Sequence, residues 1–159
     1  MKFADKDFLE YWKVIKIPTY ILVAWGVLGF IISAVSFSLY QSVFAPVAGW
    51  ILTVSAFGFI GWFGVKDHKV SLKFSAWAGA LSGAISGFAG AGLGILMYHF
   101  VPEVIQAALA QTAASGVDAA TLQSYMSIGI YIGLITGPLV TAIIGAIIST
   151  LASFIAQKL

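Results

Sequence analysis

The chain has 159 residues, 60% of them hydrophobic and 9% charged, with a mean hydropathy of +1.01. Soluble domains carry roughly a quarter charged residues, and a fold of this length has too little interior to hide so much apolar surface, so composition alone points to a membrane protein. The net charge of +2 rests on lysine with no arginine, which removes the bidentate contacts favoured in nucleic-acid recognition, and the absence of cysteine removes disulfides, thiolate metal sites and thiol nucleophiles.

In chain order, residues 1–17 carry Phe8, Tyr11, Trp12 and Ile15 on one helical face and Lys2, Asp5, Lys6 and Lys13 on the other. That pattern predicts a short amphipathic helix lying in the inner interface of a bilayer. The rest of the chain, 18–159, reads as one transmembrane domain. A hydrocarbon core of ~30 Å takes about 20 apolar residues per helix, and four stretches reach that length, at about 18–39, 46–65, 74–100 and 127–155. Pro18 and Pro46 fall where the first two spans begin, at positions that need no backbone N–H. YQSVFA (40–45) reads as a loop between them, and VKDHKVSLK (65–73) separates the second span from the third.

Residues 75–96, SAWAGALSGAISGFAGAGLGIL, place six glycines in a segment apolar enough to cross a bilayer. Glycine is about 1 kcal/mol worse than alanine inside a helix, so some gain must offset it. Small residues recur at every fourth position: Ser75, Gly79, Gly83, Gly87 and Ala91. In lipid, helices associate by close packing rather than hydrophobicity, and small-xxx-small ladders permit two backbones to approach. The segment that follows, 101–126, has good helix formers on either side of Ser115-Gly116. Pro102 opens one helix, Gly116 closes it and Asp118 caps the next, which predicts an external helical hairpin extending the third and fourth spans.

The fourth span repeats the ladder at greater length: Gly129, Gly133, Gly137, Thr141, Gly145, Ser149 and Ser153. Each four-residue step drifts about 40° around the helix, so the ladder turns by roughly 240° along its length. One crossing helix meets only a few turns. The span therefore needs at least two neighbours, in this chain or in another subunit. Gly137-Pro138 predicts a kink near its middle, because proline removes a backbone hydrogen bond.

Lysine placement sets the orientation. Lys2, Lys6, Lys13 and Lys16 precede the first span, Lys66, Lys69 and Lys73 lie between the second and third, and Lys158 follows the fourth. The other two connections hold none, so the positive-inside rule puts both termini and residues 66–73 in the cytoplasm. The expected fold is an all-α integral membrane protein of the cell or cytoplasmic membrane. It has four transmembrane helices in two antiparallel hairpins, both termini inside, and the helical segment 101–126 outside.

No Asp, Glu, Lys or Arg falls inside the four spans, which removes the embedded carboxylate that proton-coupled transport requires. His99 and Glu103, one helical turn apart, form a candidate polar site at the outer end of the third span, though two ligands are too few for zinc. GAGLG (90–94) lacks the spacing and the preceding strand of a phosphate-binding loop. No His or Lys accompanies the serines and threonines of the spans as a base. No catalytic, cofactor or metal site is therefore expected.

The residues singled out are packing residues: Gly79, Gly83, Gly87, Ala91, Gly129, Gly133, Gly137, Thr141, Gly145 and Ser149, with Pro138 as a kink. They point to a non-enzymatic tetraspan protein, an oligomer-forming structural or accessory subunit whose partners are the bilayer, its own copies or other membrane subunits. The alternative is a small oligomeric channel or facilitator for a small solute or ion. GAGLG and Pro138 weaken two helices at similar depth, where a cavity would expose backbone carbonyls.

Overall fold

Phe8–Val35 forms one unbroken helix, α1, in the computed structural model, which describes residues 2–3, 6–113 and 118–159. Before it, Lys2–Phe3 (β1) and Lys6–Asp7 (β2) pair as a short antiparallel ribbon with Lys2 opposite Asp7. A separate helix over 1–17 is thus replaced by a ribbon and the start of α1. Tyr11 and Ile15 are fully buried, and Tyr11 stacks on Phe74 with 4.3 Å between ring centroids. Of the face assigned to lipid, Tyr11 and Ile15 pack on other helices while Phe8 stays exposed, and that packing carries α1 straight through Pro18. The backbone bond that proline removes is a loss that membrane helices tolerate when neighbours enclose it.

Ser36, extended at φ −155° and ψ 97°, ends α1, and its hydroxyl accepts from the Leu39 N–H to start a single turn, Phe37–Leu39 (α2). Tyr40–Ala48 continues as a π-helix into α3, Gly49–His68. The expected loop at 40–45 is therefore helical, and the second long helix starts at Gly49 rather than Pro46. A wider register suits a segment containing Pro46, which has no N–H for the i→i−4 ladder. α3 ends on Lys69 in the left-handed region (φ 50°, ψ 39°), whose N–H bonds the Val65 carbonyl at 3.1 Å.

Ser71 Oγ accepts from the Phe74 N–H at 3.2 Å and opens α4, Leu72–Phe100. Pro102–Ala113 forms α5. Gly116, the expected helix stop, lies outside the described residues. Asp118 caps α6, Ala119–Lys158, its Oδ1 accepting from the Thr121 N–H at 2.9 Å.

Among the described residues, four stretches of helix are long and apolar enough to cross a membrane: Phe8–Val35, Gly49–His68, Leu72–Phe100 and Gln123–Lys158. The most extensive interface joins α4 to α6. α3 lies mainly against α6 and α1 mainly against α4, so α1 and α3, neighbours in the chain, each find their larger surface elsewhere.

The core of Tyr11, Val14, Ile15, Phe57, Ile60, Phe74 and Ala78 sits toward the end bearing Lys13, Lys66, Lys69, Lys73 and Lys158, here termed the lysine end. Burial thins toward the far end. α4 has no buried residue beyond Gly87, and among the described side chains α6 has none before Pro138. Large apolar side chains cover the outside, Ile135 being 75% exposed, and a surface of that kind calls for lipid or another apolar partner.

Candidate functional site

The small residues of α4 and α6 pack at the level of the backbone. A Cβ added to Gly79 would fall on the Gly145 carbonyl oxygen, and one added to Gly145 would fall on that of Gly79. Gly83 meets the Thr141 carbonyl in the same way, and Gly87 abuts Thr141 Oγ1 and Pro138 Cα. Partner numbers fall along α6 as they rise along α4, so the two helices run in opposite directions. Only glycine allows this approach, since a side chain would have to share space with neighbouring backbone.

Hydroxyls tie the seam. Thr141 Oγ1 lies 2.8 Å from the Gly83 carbonyl oxygen across the interface and 2.8 Å from that of Gly137 in its own helix, and its proton serves both. Closer to the lysine end the ladder rotates from α4 toward α3. There Ser149 Oγ donates to the Phe57 carbonyl and Ser153 Oγ to that of Gly61, both at 2.9 Å. Ser153 also hydrogen-bonds Ser75, and Thr19 of α1 bonds Ser82 of α4 at 2.8 Å. Among the described residues no buried side-chain polar atom lacks a partner. The drift of the ladder thus finds its second neighbour inside the chain.

Other small positions stay open. A Cβ on Gly137 would meet only Ala91 Cβ, at 3.9 Å, while Gly58, Gly90, Gly92, Gly94, Gly129 and Gly133 face nothing within 4 Å. Of the packing residues read from the sequence, Gly79, Gly83, Gly87, Thr141, Gly145 and Ser149 lie in the seam. Ala91 and Gly137 sit at its edge, and Gly129 and Gly133 lie outside it.

Beyond the seam the helices part around a cavity of about 470 Å³. α4 contributes Gly87, Gly90, Ala91 and Gly94, and α6 contributes Gly133 and Gly137. Leu22 and Trp25 of α1 and Phe57 of α3 complete the wall, residues that sequence reasoning did not single out. The available signal was Trp25, a tryptophan at mid-span, away from the interfaces where that residue concentrates. Wall hydroxyls are already committed to backbone carbonyls: Thr53 to Gly49 at 2.7 Å, Ser86 to Ser82 at 2.9 Å, and Thr141 as above. Among the described residues no ionisable side chain lines the cavity. Its wall is suited to apolar matter.

His99 and Glu103 are not drawn into a site. His99 Nδ1 bonds the Ile95 carbonyl at 2.9 Å, while Glu103 lies past the break at Val101, in the first turn of α5. Both are exposed. Among the described residues no group of three or more His, Cys, Asp or Glu could hold a metal ion. At Asp118 the Thr121 hydroxyl first, then the Thr121 N–H, hold the carboxyl below its usual value.

Helices of this length and apolarity, clad in large exposed apolar side chains, are those of a multi-pass membrane protein. Compared with protein-family models, curated protein sequences and solved structures, the chain matches none.

Proposed function

We propose that the chain is a non-enzymatic subunit of a membrane assembly, an oligomer-forming structural or accessory component that works through helix contacts. The observation that carries this reading is the state of Gly92 and Gly129. Both face open space, on helices whose Gly79, Gly83, Gly87 and Gly145 sit in backbone contact. A glycine facing lipid forgoes about 1 kcal/mol of helix propensity with no return. A second backbone seated there would restore the balance, as Gly145 does for Gly79.

The test is native mass in nanodiscs, where a defined multimer is expected. Gly129→Ile is expected to reduce the multimer while leaving thermal unfolding of the subunit unchanged, and Leu134→Ile to change neither. A monomer in nanodiscs, with no cross-linked partner in native membranes, would overturn the reading. In this proposal the lysine end is cytoplasmic, with both termini, and α5 lies outside. The chain has no cysteine, so single-cysteine labelling has no background. Gln157→Cys should react with an impermeant maleimide only after permeabilisation and Gln106→Cys without it; the opposite pattern reverses the orientation.

A second reading, a facilitator for a small solute, is favoured by the cavity at the depth of GAGLG and Pro138. Its committed hydroxyls count against a polar solute, and solute flux in liposomes tests it.

A further inference from the structure

We infer that the cavity in the far half of the bundle holds one acyl chain of a bilayer phospholipid, a binding role beyond the contact reading and independent of it. Three hollows meet at Trp25. The main one, of about 470 Å³, shares Trp25, Thr53, Phe57 and Thr141 with a cleft of about 280 Å³ between α3 and α6. It shares Trp25, Gly26, Gly90 and Gly94 with another of about 370 Å³ that runs on toward Tyr40 and Met97. The cleft is edged by Trp50, which is 60% exposed on the outside of the bundle. The space is thus elongated and opens sideways, within helices of membrane-crossing length, where the surrounding medium is hydrocarbon.

Size and chemistry then select the occupant. A helix with its side chains is ~10–12 Å across and rises ~5.4 Å per turn, so the main hollow admits roughly one turn of it, and no transmembrane helix of a partner. Water is a poor guest, because Thr53, Ser86 and Thr141 have given their protons to backbone carbonyls and a buried water needs several polar partners. Left empty, the wall would forfeit dispersion contacts that fluid hydrocarbon at its opening can supply. A free fatty acid would bring a carboxylate for which the described residues of the wall include no Lys, Arg or His. A phospholipid keeps its headgroup at the interface and inserts methylenes alone. Gly90, Gly94 and Gly133 leave the room, since a Cβ at each would still meet nothing within 4 Å.

Trp25 serves as the reporter. With Trp12, Trp50, Trp62 and Trp77 changed to Phe, the full chain is reconstituted in phosphatidylcholine vesicles whose acyl chains carry bromine at mid-chain, a contact quencher of indole. Trp25 fluorescence is expected to be strongly quenched. Gly133→Leu and Gly90→Leu, which plug the cavity, should lose most of that quenching, whereas Gly129→Leu, outside it, should keep it. Circular dichroism and thermal unfolding establish that each variant is folded. Equal quenching in plugged and parent chains overturns the proposal. So does quenching by aqueous acrylamide in place of the bromolipid, which marks a water-filled path. Quenching by a free brominated fatty acid but not by the phospholipid also overturns it. Should the four-Phe background fail to fold, a phospholipid with a diazirine on its acyl chain is photo-cross-linked to the unmodified chain. Label on Trp25, Gly90 or Gly133 supports the proposal, and label confined to outer residues such as Ile135 and Leu139 overturns it.

Discussion

At residue scale, Gly145 and Ser149 stand one turn apart on α6 and hold the bundle by different means. Gly145 supplies an absence, letting its backbone rest on Gly79, while Ser149 supplies a hydrogen bond to the Phe57 carbonyl. Magnitudes decide which matters more. Interhelical hydrogen bonds in membranes average about 0.6 kcal/mol, whereas overpacking a fitted contact costs about 1–3 kcal/mol. Gly145→Ala should therefore lower stability in detergent unfolding several times more than Ser149→Ala. Equal losses would mean that hydroxyls, not shape, hold the seam. Asp118 gives a pH dependence at the same scale. Its folded carboxyl lies below the ordinary value of 3.8, so its capping contribution is complete above that value and is lost as pH falls through the folded one. Protection of the first turn of α6 in hydrogen exchange should drop on acidification, and Asp118→Ala should abolish that response. The seam positions were legible because a four-residue row of small side chains has few other uses in lipid. Whether a given glycine in the row is closed or open was not legible, since Gly87 and Gly133 sit in equally regular ladders.

At the scale of elements, the start of α1 shows where periodicity runs out. Phe8, Tyr11, Trp12 and Ile15 do share a face, but an apolar face carries no label saying whether lipid or protein covers it. In the structure Tyr11 and Ile15 are core while Phe8 and Leu9 remain exposed. Tyr11→Ala should thus cost about 3–5 kcal/mol, the range for truncating a buried aromatic ring, and lower the unfolding temperature of the whole bundle. Were this face interfacial, the same change would weaken membrane association of the N-terminal segment and leave bundle stability intact, so the two measurements separate the cases. The turn region is a second instance. YQSVFA reads as a loop on polarity, yet Tyr40–Ala48 is helical with a wide register, and no local pattern distinguishes a π-helix from a turn before a proline.

At the scale of the whole molecule, the bundle is closed at the lysine end and open at the far end, and the two halves set opposite rules for one substitution. The membrane class was legible from composition, and the small-residue rows from spacing. The depth at which α4 and α6 part was not, because it depends on how all four helices lean, with Pro138 at the last close contact and Gly90 and Gly133 beyond it. In the closed half, Gly83→Leu places a branched side chain on the Thr141 carbonyl. The helices must separate, and the loss should exceed the ~1–3 kcal/mol of ordinary overpacking. In the open half, Gly133→Leu enters a cavity with room for it. Replacing a helical glycine regains about 1 kcal/mol of propensity, and filling the space adds apolar contact. Measured in detergent without phospholipid, Gly133→Leu should unfold at or above the temperature of the parent, while Gly83→Leu should unfold well below it. A comparable loss in both would show that the far half closes in solution, and the cavity would no longer be available to a lipid chain.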